Sequence, residues 1–261
     1  MLDPLFSVKE QVVLVSGGTR GIGRAIAQGF ADREALVIIT GRNESTVMST
    51  AAEITSDGQS VVPLVCDVSD PRAVVSLVEH VTDRFRQIDT LVNVAGVNRR
   101  KPALQVTEQD YDFIMDINLK GAFLMSQAVA HGMLARQSGC QINITSLNEQ
   151  RPLRHVAPYA MSKAGMGHMT RSLAMEWGSR GVRVNALAPG FILTDLTRKL
   201  WSDKSMQAWG KANTPQERLG QPEDLVGTAI FLASPAAAFL TGQTLYVDGG
   251  FTAGWAWPIP E

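Results

Sequence analysis

Only two cysteines, Cys66 and Cys140, occur in 261 residues, and no C-x-x-C pair exists. Neither a disulfide framework nor a cysteine zinc site is indicated. The four histidines, His80, His131, His155 and His168, form no H-E-x-x-H spacing, so a histidine-held metal has no motif either and no metal is expected. An excess of one charge is also lacking: 24 Lys and Arg stand against 25 Asp and Glu, a formal net charge of −1. With no basic patch to follow a phosphate backbone, nucleic acid is not an expected partner. Long apolar runs are missing as well. The most apolar later stretch, residues 229–240 (AIFLASPAAAFL), is interrupted by Ser234 and Pro235 and falls short of the ~20 residues that cross a bilayer. The first ten residues (MLDPLFSVKE) carry acids and a proline where a secretory signal has a basic end and an apolar run. The expectation is a cytoplasmic protein with no membrane contact, in which the N-x-S/T sequons at Asn43 and Asn143 carry no meaning.

What is present is an alternation. Residues 12–16 (VVLVS), 36–40 (LVIIT), 61–65 (VVPLV) and 90–93 (TLVN) are near-continuous apolar runs, the pattern of strands buried on both faces. Between them, residues 23–31, 44–56 and 71–85 are predicted helices, the third with Ser69 or Asp70 as cap and Pro71 at its first position. The rhythm continues with helical material over 109–136, a strand at 141–145, a helix at 158–177, a strand at 182–186, a helix at 222–233 and a strand at 244–247. Repeated strand–helix–strand units dictate a parallel sheet with helices on both faces. The predicted fold is therefore a single-domain α/β protein, a Rossmann-type doubly wound sheet of about seven strands spanning residues 1–261. Only residues 194–222 break the rhythm and are predicted to form an insertion over the sheet, where it would cover a binding site.

The segment Ser16-Gly17-Gly18-Thr19-Arg20-Gly21-Ile22-Gly23 joins the first strand to the first helix. A glycine turn at that junction lets backbone approach a pyrophosphate while the helix N-terminus supplies N–H donors. The spacing is G-x-x-x-G-x-G, not G-x-G-x-x-G. The end of the second strand meets the adenosine ribose in such folds, and an acid there favours NAD. Here Thr40-Gly41-Arg42 stands in its place. Arg42, with Arg20 as a second cation, offers a guanidinium fork to a 2′-phosphate, so NADP(H) is favoured and NAD(H) remains possible.

Tyr159 and Lys163 form Y-x-x-x-K in a predicted helix, which puts both on one face. A phenol with an ordinary pKa near ~10 is a poor acid or base at neutral pH, and a nearby ammonium is expected to lower it. Ser146 closes the preceding strand, one loop away.

Together with Cys66-Asp67-Val68, Asn93-Val94-Ala95-Gly96, Ile117-Asn118-Leu119, Val184-Asn185 and Pro189-Gly190 followed by Thr194, these motifs resemble the short-chain dehydrogenase/reductase family along essentially the whole chain. The resemblance implies hydride transfer between a nicotinamide and a carbonyl carbon. Tyr159 would be the general acid/base, Lys163 would tune it and hold the nicotinamide ribose, Ser146 would bond the reacting oxygen, and Asn118 would hold a water. The implied cofactor residues are Gly17, Thr19, Arg20, Gly21, Ile22 and Gly23 of the glycine loop, Arg42, Asp67, Val68, Asn93, Ala95 and Gly96, Tyr159 and Lys163, and Pro189, Gly190, Ile192 and Thr194. Two departures stand out: Ser16 where the family usually has Thr, and Val94 for the second Asn of N-N-A-G.

Substrate contacts are expected from Ser146, Asn148, Arg154 and Tyr159, with Val97, Asn98, Glu149, Arg151, His155, Phe191 and Trp201 as further cleft candidates. The arginines and amides suit hydroxyls or a carboxylate, as in sugar-acid dehydrogenases of the gluconate 5-dehydrogenase kind, which the chain resembles in length and at Gly41-Arg42. A 3-oxoacyl thioester or a medium-size ketone is the alternative substrate, and a non-catalytic cofactor-binding regulator the alternative from another class. The resemblance also implies a homotetramer pairing helices 109–136 and 158–177. The aromatic tail, residues 251–261 with Trp255 and Trp257, either packs on its own subunit or reaches a neighbour's site.

Overall fold

The computed structural model describes residues 3–55 and 61–255. Seven parallel strands, β1 (Val12–Ser16), β2 (Leu36–Gly41), β3 (Val61–Val65), β4 (Thr90–Asn93), β5 (Gly139–Ile144), β6 (Val182–Pro189) and β7 (Thr244–Val247), form one sheet in the order β3-β2-β1-β4-β5-β6-β7. Order reverses between β1 and β4, and a crevice opens there beyond the carboxyl ends of the strands.

The helices are α1 (Gly21–Ala31), α2 (Glu44–Thr55), α3 (Pro71–Phe85), α4 (Glu108–Met115), α5 (Gly121–Ala135), α6 (Ala157–Trp177), the short α7 (Arg198–Trp201) and α8 (Lys204–Ala212), and α9 (Val226–Ala233). Strand side chains alternate between two cores. Val13, Val15, Val37 and Ile39 pack with α1, α2 and α9, whereas Val12, Leu14 and Ile38 face α3, α5 and α6. Burial of each such side chain contributes about 1.5–3 kcal/mol, and both faces of the central strands are covered, while the edge strands β3 and β7 stay partly open.

Local signals set the boundaries. Asp70 accepts from Arg72 N at 2.9 Å with Pro71 opening α3, and Arg86 ends the helix in the left-handed region at φ 71°. Thr107 and Asp110 form a capping box on α4. Three expectations change. The predicted helix over 109–136 is divided by a π-helical turn, Asp116–Lys120, and the one over 222–233 begins as a 3-10 turn, Pro222–Leu225. β6 runs on to Pro189 because β7 pairs beside it as far as Val247. The last residue of the predicted helix 44–56 and the tail beyond Trp255 lie outside the described residues. Among the described residues no helix is long and apolar enough to cross a membrane.

A buried polar chain locks the centre. Asn93 Nδ2 donates to Ser126 Oγ and to Asn143 Oδ1, each at 2.9 Å; Asn143 Nδ2 donates to Thr170 Oγ1 at 2.9 Å, which donates to Met166 O at 2.9 Å. It ties β4 and β5 to α5 and α6. The network rigidifies what it joins, with Asn93 Oδ1 left without a partner among the described residues, and it holds β5 against α6, which carries Tyr159 and Lys163.

Candidate active site

At the β1–α1 junction Gly17 has φ +86°, and a Cβ there would lie 2.6 Å from Ala95 N. Only glycine lets the first loop nest against the β4 loop. α1 begins beyond it with Arg20 at its N-cap making no side-chain bond to the helix, so the first-turn N–H groups face the crevice as an anion site. The crevice, about 370 Å³, is lined by Gly17, Thr19, Arg20, Gly21, Ile22, Gly23, Arg42, Asp67, Val68, Ala95, Gly96 and Thr194 of the expected cofactor residues, and also by Gly41, Val97 and Ile117. Arg20 and Arg42 are exposed and make no ion pair among the described residues. Burial pushes the Asp67 carboxyl up, but two hydrogen bonds from Ser69 and the charge of Arg42 outweigh it and hold the group below the usual range. An uncapped helix end, a backbone cradle and two unpaired guanidinium groups fit a phosphorylated dinucleotide.

Asn93 turns instead into the polar chain between β4 and α5 and does not line the crevice. Pro189 and Gly190 are held at the end of β6, where Gly190 N donates to Val247 O at 3.0 Å, and Ile192 is buried in the core. Ser16 Oγ is buried without a partner among the described residues.

Gly96 connects the crevice to Asn118 and Lys163. The position of a Cβ there is 3.5 Å from Asn118 Oδ1 and 3.7 Å from Lys163 Nζ. Asn118 sits on the π-helical turn, fully buried. Its Oδ1 accepts from Val97 N at 2.8 Å, and its Nδ2 donates to Val97 O and Ser162 Oγ, each at 3.0 Å. Both amide protons are committed, so a water held by Asn118 would have to rest on Oδ1 or the main chain. A π-turn at a site residue is a recurrent feature; here it sets Asn118 beside the Val97 loop.

Lys163 is buried, and its Nζ donates to Ile144 O at 2.7 Å. Burial pushes its pKa down to about 8, against the opposing charge of Glu149. The ammonium lies 5.9 Å from the centroid of the Tyr159 ring. The expected lowering of the Tyr159 phenol by this ammonium is corrected by the structure. Burial pushes the phenol up, and the opposing influences are the Ser146 hydroxyl and the charge of Arg100. Desolvation outweighs both, although the Tyr159 side chain is half-buried where Lys163 is buried.

Ser146 Oγ accepts from Asn148 N at 3.1 Å and from Asn148 Nδ2 at 3.2 Å, while Asn148 Oδ1 accepts from Leu153 N at 2.9 Å. With both lone pairs taken, the hydroxyl proton of Ser146 is free for Tyr159 or a carbonyl oxygen. Asn148, expected to bind substrate, is thus placed to orient Ser146. Arg154 and His155 are exposed, His155 at φ 66°. Arg151 turns toward the tail, donating to Phe251 O and Gly254 O, each at 3.0 Å, with Trp255 stacked at 5.0 Å. The insertion and tail share an aromatic cluster of Phe191, Trp201, Trp209 and Phe251, with Phe191 at 4.7 Å from Phe251. In the described part of the tail Phe251 is packed on its own chain, whereas Trp255 is 76% exposed. Trp257 lies outside the described residues.

Sequence reasoning missed Arg100. Its neighbours are occupied, Arg99 pairing with Asp110 at 3.0 Å and Lys101 at 2.5 Å. Arg100 is exposed, has no ion pair among the described residues, and its charge reaches the Tyr159 phenol. Three adjacent basic residues carry no sequence signal for which one stays free.

A family model described as enoyl-(acyl carrier protein) reductase matches residues 17–252. The gluconate 5-dehydrogenase of Gluconobacter oxydans is 38% identical over 248 residues, covering 95% of this chain and 97% of that protein. The chain belongs to the short-chain dehydrogenase/reductase family. This oxidoreductase is also 41% identical over 242 residues to a 3-oxoacyl-[acyl-carrier-protein] reductase of Synechocystis, covering 92% of this chain and 96% of that one. The structure of a gluconate 5-dehydrogenase from Burkholderia cenocepacia, in complex with NADP and tartrate, superposes with a TM-score of 0.93 at 37% identity, covering 96% of this chain and 98% of that one. The crevice and the Ser146, Tyr159 and Lys163 cluster accordingly belong to an enzyme that interconverts alcohols and ketones.

Proposed function

We propose that this enzyme is an NADP(H)-dependent reductase of keto sugar acids, also oxidising the corresponding alcohols. The observation that carries the substrate reading is Arg100, an exposed cation with no ion pair among the described residues whose charge is felt at the Tyr159 phenol. A carboxylate on the substrate would pair with it and bring the ketone to Tyr159 and Ser146. Relatives named for gluconate and 5-keto-D-gluconate, and a neighbour holding NADP with tartrate, support the same chemistry.

Bound in the crevice, the nicotinamide would supply or accept the hydride. Arg20 and Arg42 would hold the adenosine phosphate, and Lys163 would use a remaining N–H on the nicotinamide ribose. In reduction, the Ser146 O–H fixes the ketone oxygen while Tyr159, kept protonated by burial, delivers its proton to that oxygen. In oxidation the same oxygen returns its proton to the tyrosinate. Asn118 acts as the tie between the Val97 loop and α6.

A second reading, reduction of 3-oxoacyl thioesters, is supported by the Synechocystis relative and by the exposed Trp209 of the insertion, backed by Phe191 and the buried Phe251. A panel of keto sugar acids, cyclic ketones and acetoacetyl thioesters, followed by loss of reduced-nicotinamide absorbance with NADPH and NADH side by side, separates the readings. Turnover of keto acids with NADPH is the expected result. A clear preference for thioesters would overturn the substrate reading, and one for NADH the reading of Arg42. We also infer a homotetramer from the exposed Phe123 of α5 and Met161 and Met175 of α6, and a cytoplasmic location from the free thiols of Cys66 and Cys140.

A further inference from the structure

α6 carries a glycine, Gly167, one helical turn beyond Lys163. Glycine is among the poorest helix formers, so its place inside a long buried helix needs a reason, and the reason is Glu149. A Cβ at Gly167 would lie 2.0 Å from Glu149 Oε1 and 2.2 Å from its Cδ. Any other residue there would expel the carboxylate. Its side chain is 8% exposed, and Oε1 accepts from Thr244 Oγ1 at 3.1 Å and lies 3.5 Å from Nη1 of the half-exposed Arg171. Oε2 is buried without a hydrogen-bond partner among the described residues. A buried carboxylate satisfied only in part is costly to keep, and its contacts to Thr244 of β7 and Arg171 of α6 use Oε1 alone.

We propose that Glu149 is a positioning residue for the reaction at Tyr159: its buried carboxylate, admitted by Gly167, is the countercharge that keeps the Lys163 ammonium protonated in a dry pocket. The inference rests on the reading of Tyr159 and Lys163 as the reacting pair. Lys163 is buried, makes no ion pair among the described residues, and finds only Ile144 O at 2.7 Å and Met166 Sδ at 3.9 Å as partners. Of the charges near it, that of Glu149 opposes the effect of burial. The other ionisable groups are accounted for. Tyr159 shares the helix with Lys163 and faces Arg100 from the β4 loop. Arg171, on α6, meets Glu149 on one side and lies 3.5 Å from His168 Nδ1 on the other. From β7, Tyr246 feels Glu149, Arg171 and Asp248 after the larger effect of its own burial.

Removing the negative charge lets Lys163 lose its proton at lower pH, so the alkaline limb of ketone reduction must move acidward. The test uses the cofactor-free protein with ¹³Cε-labelled lysine, the Lys163 signal being assigned by its loss in Lys163→Arg. Its titration is followed by NMR in the wild type, Glu149→Gln, Glu149→Asp and Gly167→Ala, and the pH profile of reduction is recorded for each. The expected result is a midpoint lower by roughly half a pH unit in Glu149→Gln and Gly167→Ala, about a threefold change in rate on the alkaline limb, with Glu149→Asp in between. An unmoved Lys163 midpoint in both variants, even with lowered Tm, overturns the proposal and leaves Glu149 a packing residue. Gly167→Ala favours the helix, so it keeps the test open if Glu149→Gln folds poorly. The NMR titration needs no substrate, so failure of the substrate reading does not disturb it.

Discussion

The two ends of the cleft handle charge in opposite ways. At the dinucleotide end Arg20 and Arg42 are exposed and make no ion pair among the described residues, though the charge of Arg42 reaches Asp67, and they lie beside backbone N–H groups of an uncapped helix. At the reacting end Asn118, Ser146 and Lys163 are buried, and each is held by protein partners. The open end is organised to gain a phosphate, so its mutations should act on binding. The closed end is buried and bonded within the protein, and under the proposed function its mutations should act on turnover and pH dependence.

The largest separation comes from the closed end. Lys163→Met should lower kcat/KM by about 10²–10⁴ while the protein folds and elutes as before; a loss smaller than tenfold would mean that Lys163 only packs against Ile144. Next, Arg42→Ala should raise the Kd for NADPH by about 10–100-fold, the worth of charge-assisted hydrogen bonds, and leave NADH nearly unchanged. Fluorescence titration with both cofactors checks this, and equal weakening of both would erase the distinction between the two ends. Asn148→Leu should cost about tenfold in kcat, the scale of one orienting hydrogen bond, with cofactor affinity intact, because Ser146 Oγ loses the Nδ2 donor and keeps only the main-chain N–H of residue 148.

The smallest effect lies beside the site. Lys101 is the main influence holding the Asp110 carboxyl well below its usual range, with the Thr107 backbone next and Arg99 further down. A depressed carboxylate contributes stability that is present above its unfolded pKa of ~4 and lost as pH falls through the lower folded value. The Tm gap between wild type and Asp110→Asn should therefore shrink below pH ~4; a gap constant with pH would show that the ion pairs add nothing there.

The strands were legible because the apolar runs are bounded by turn residues and the central ones, β1, β4, β5 and β6, are buried almost throughout, the edge strands β3 and β7 less so. The end of β6 was not, since Leu187–Pro189 stay in the sheet only through their pairing with β7. The division of the helix around Asn118 was also hidden, because a π-turn keeps helical periodicity nearly intact. In the site, residue types at fixed spacing were readable: the glycine loop, Arg42, Ser146, Tyr159 and Lys163. What sequence could not supply was the direction of side chains in the loop after β5. Asn148, Glu149 and Arg151 are all polar there, yet one turns to Ser146, one to Gly167 and one to the tail. The Tyr159 phenol followed the same lesson. Its neighbour was evident from Y-x-x-x-K, but the balance between ammonium and burial depends on how dry the pocket is.

The most direct test of a protonated Tyr159 as the group that exchanges a proton with the substrate oxygen is a pair of measurements on Tyr159→Phe: the Kd for NADPH and the rate of ketone reduction under saturating cofactor. The predicted result is cofactor affinity within about twofold of wild type and turnover lower by at least ~10³-fold. Turnover within a few-fold of wild type would contradict it.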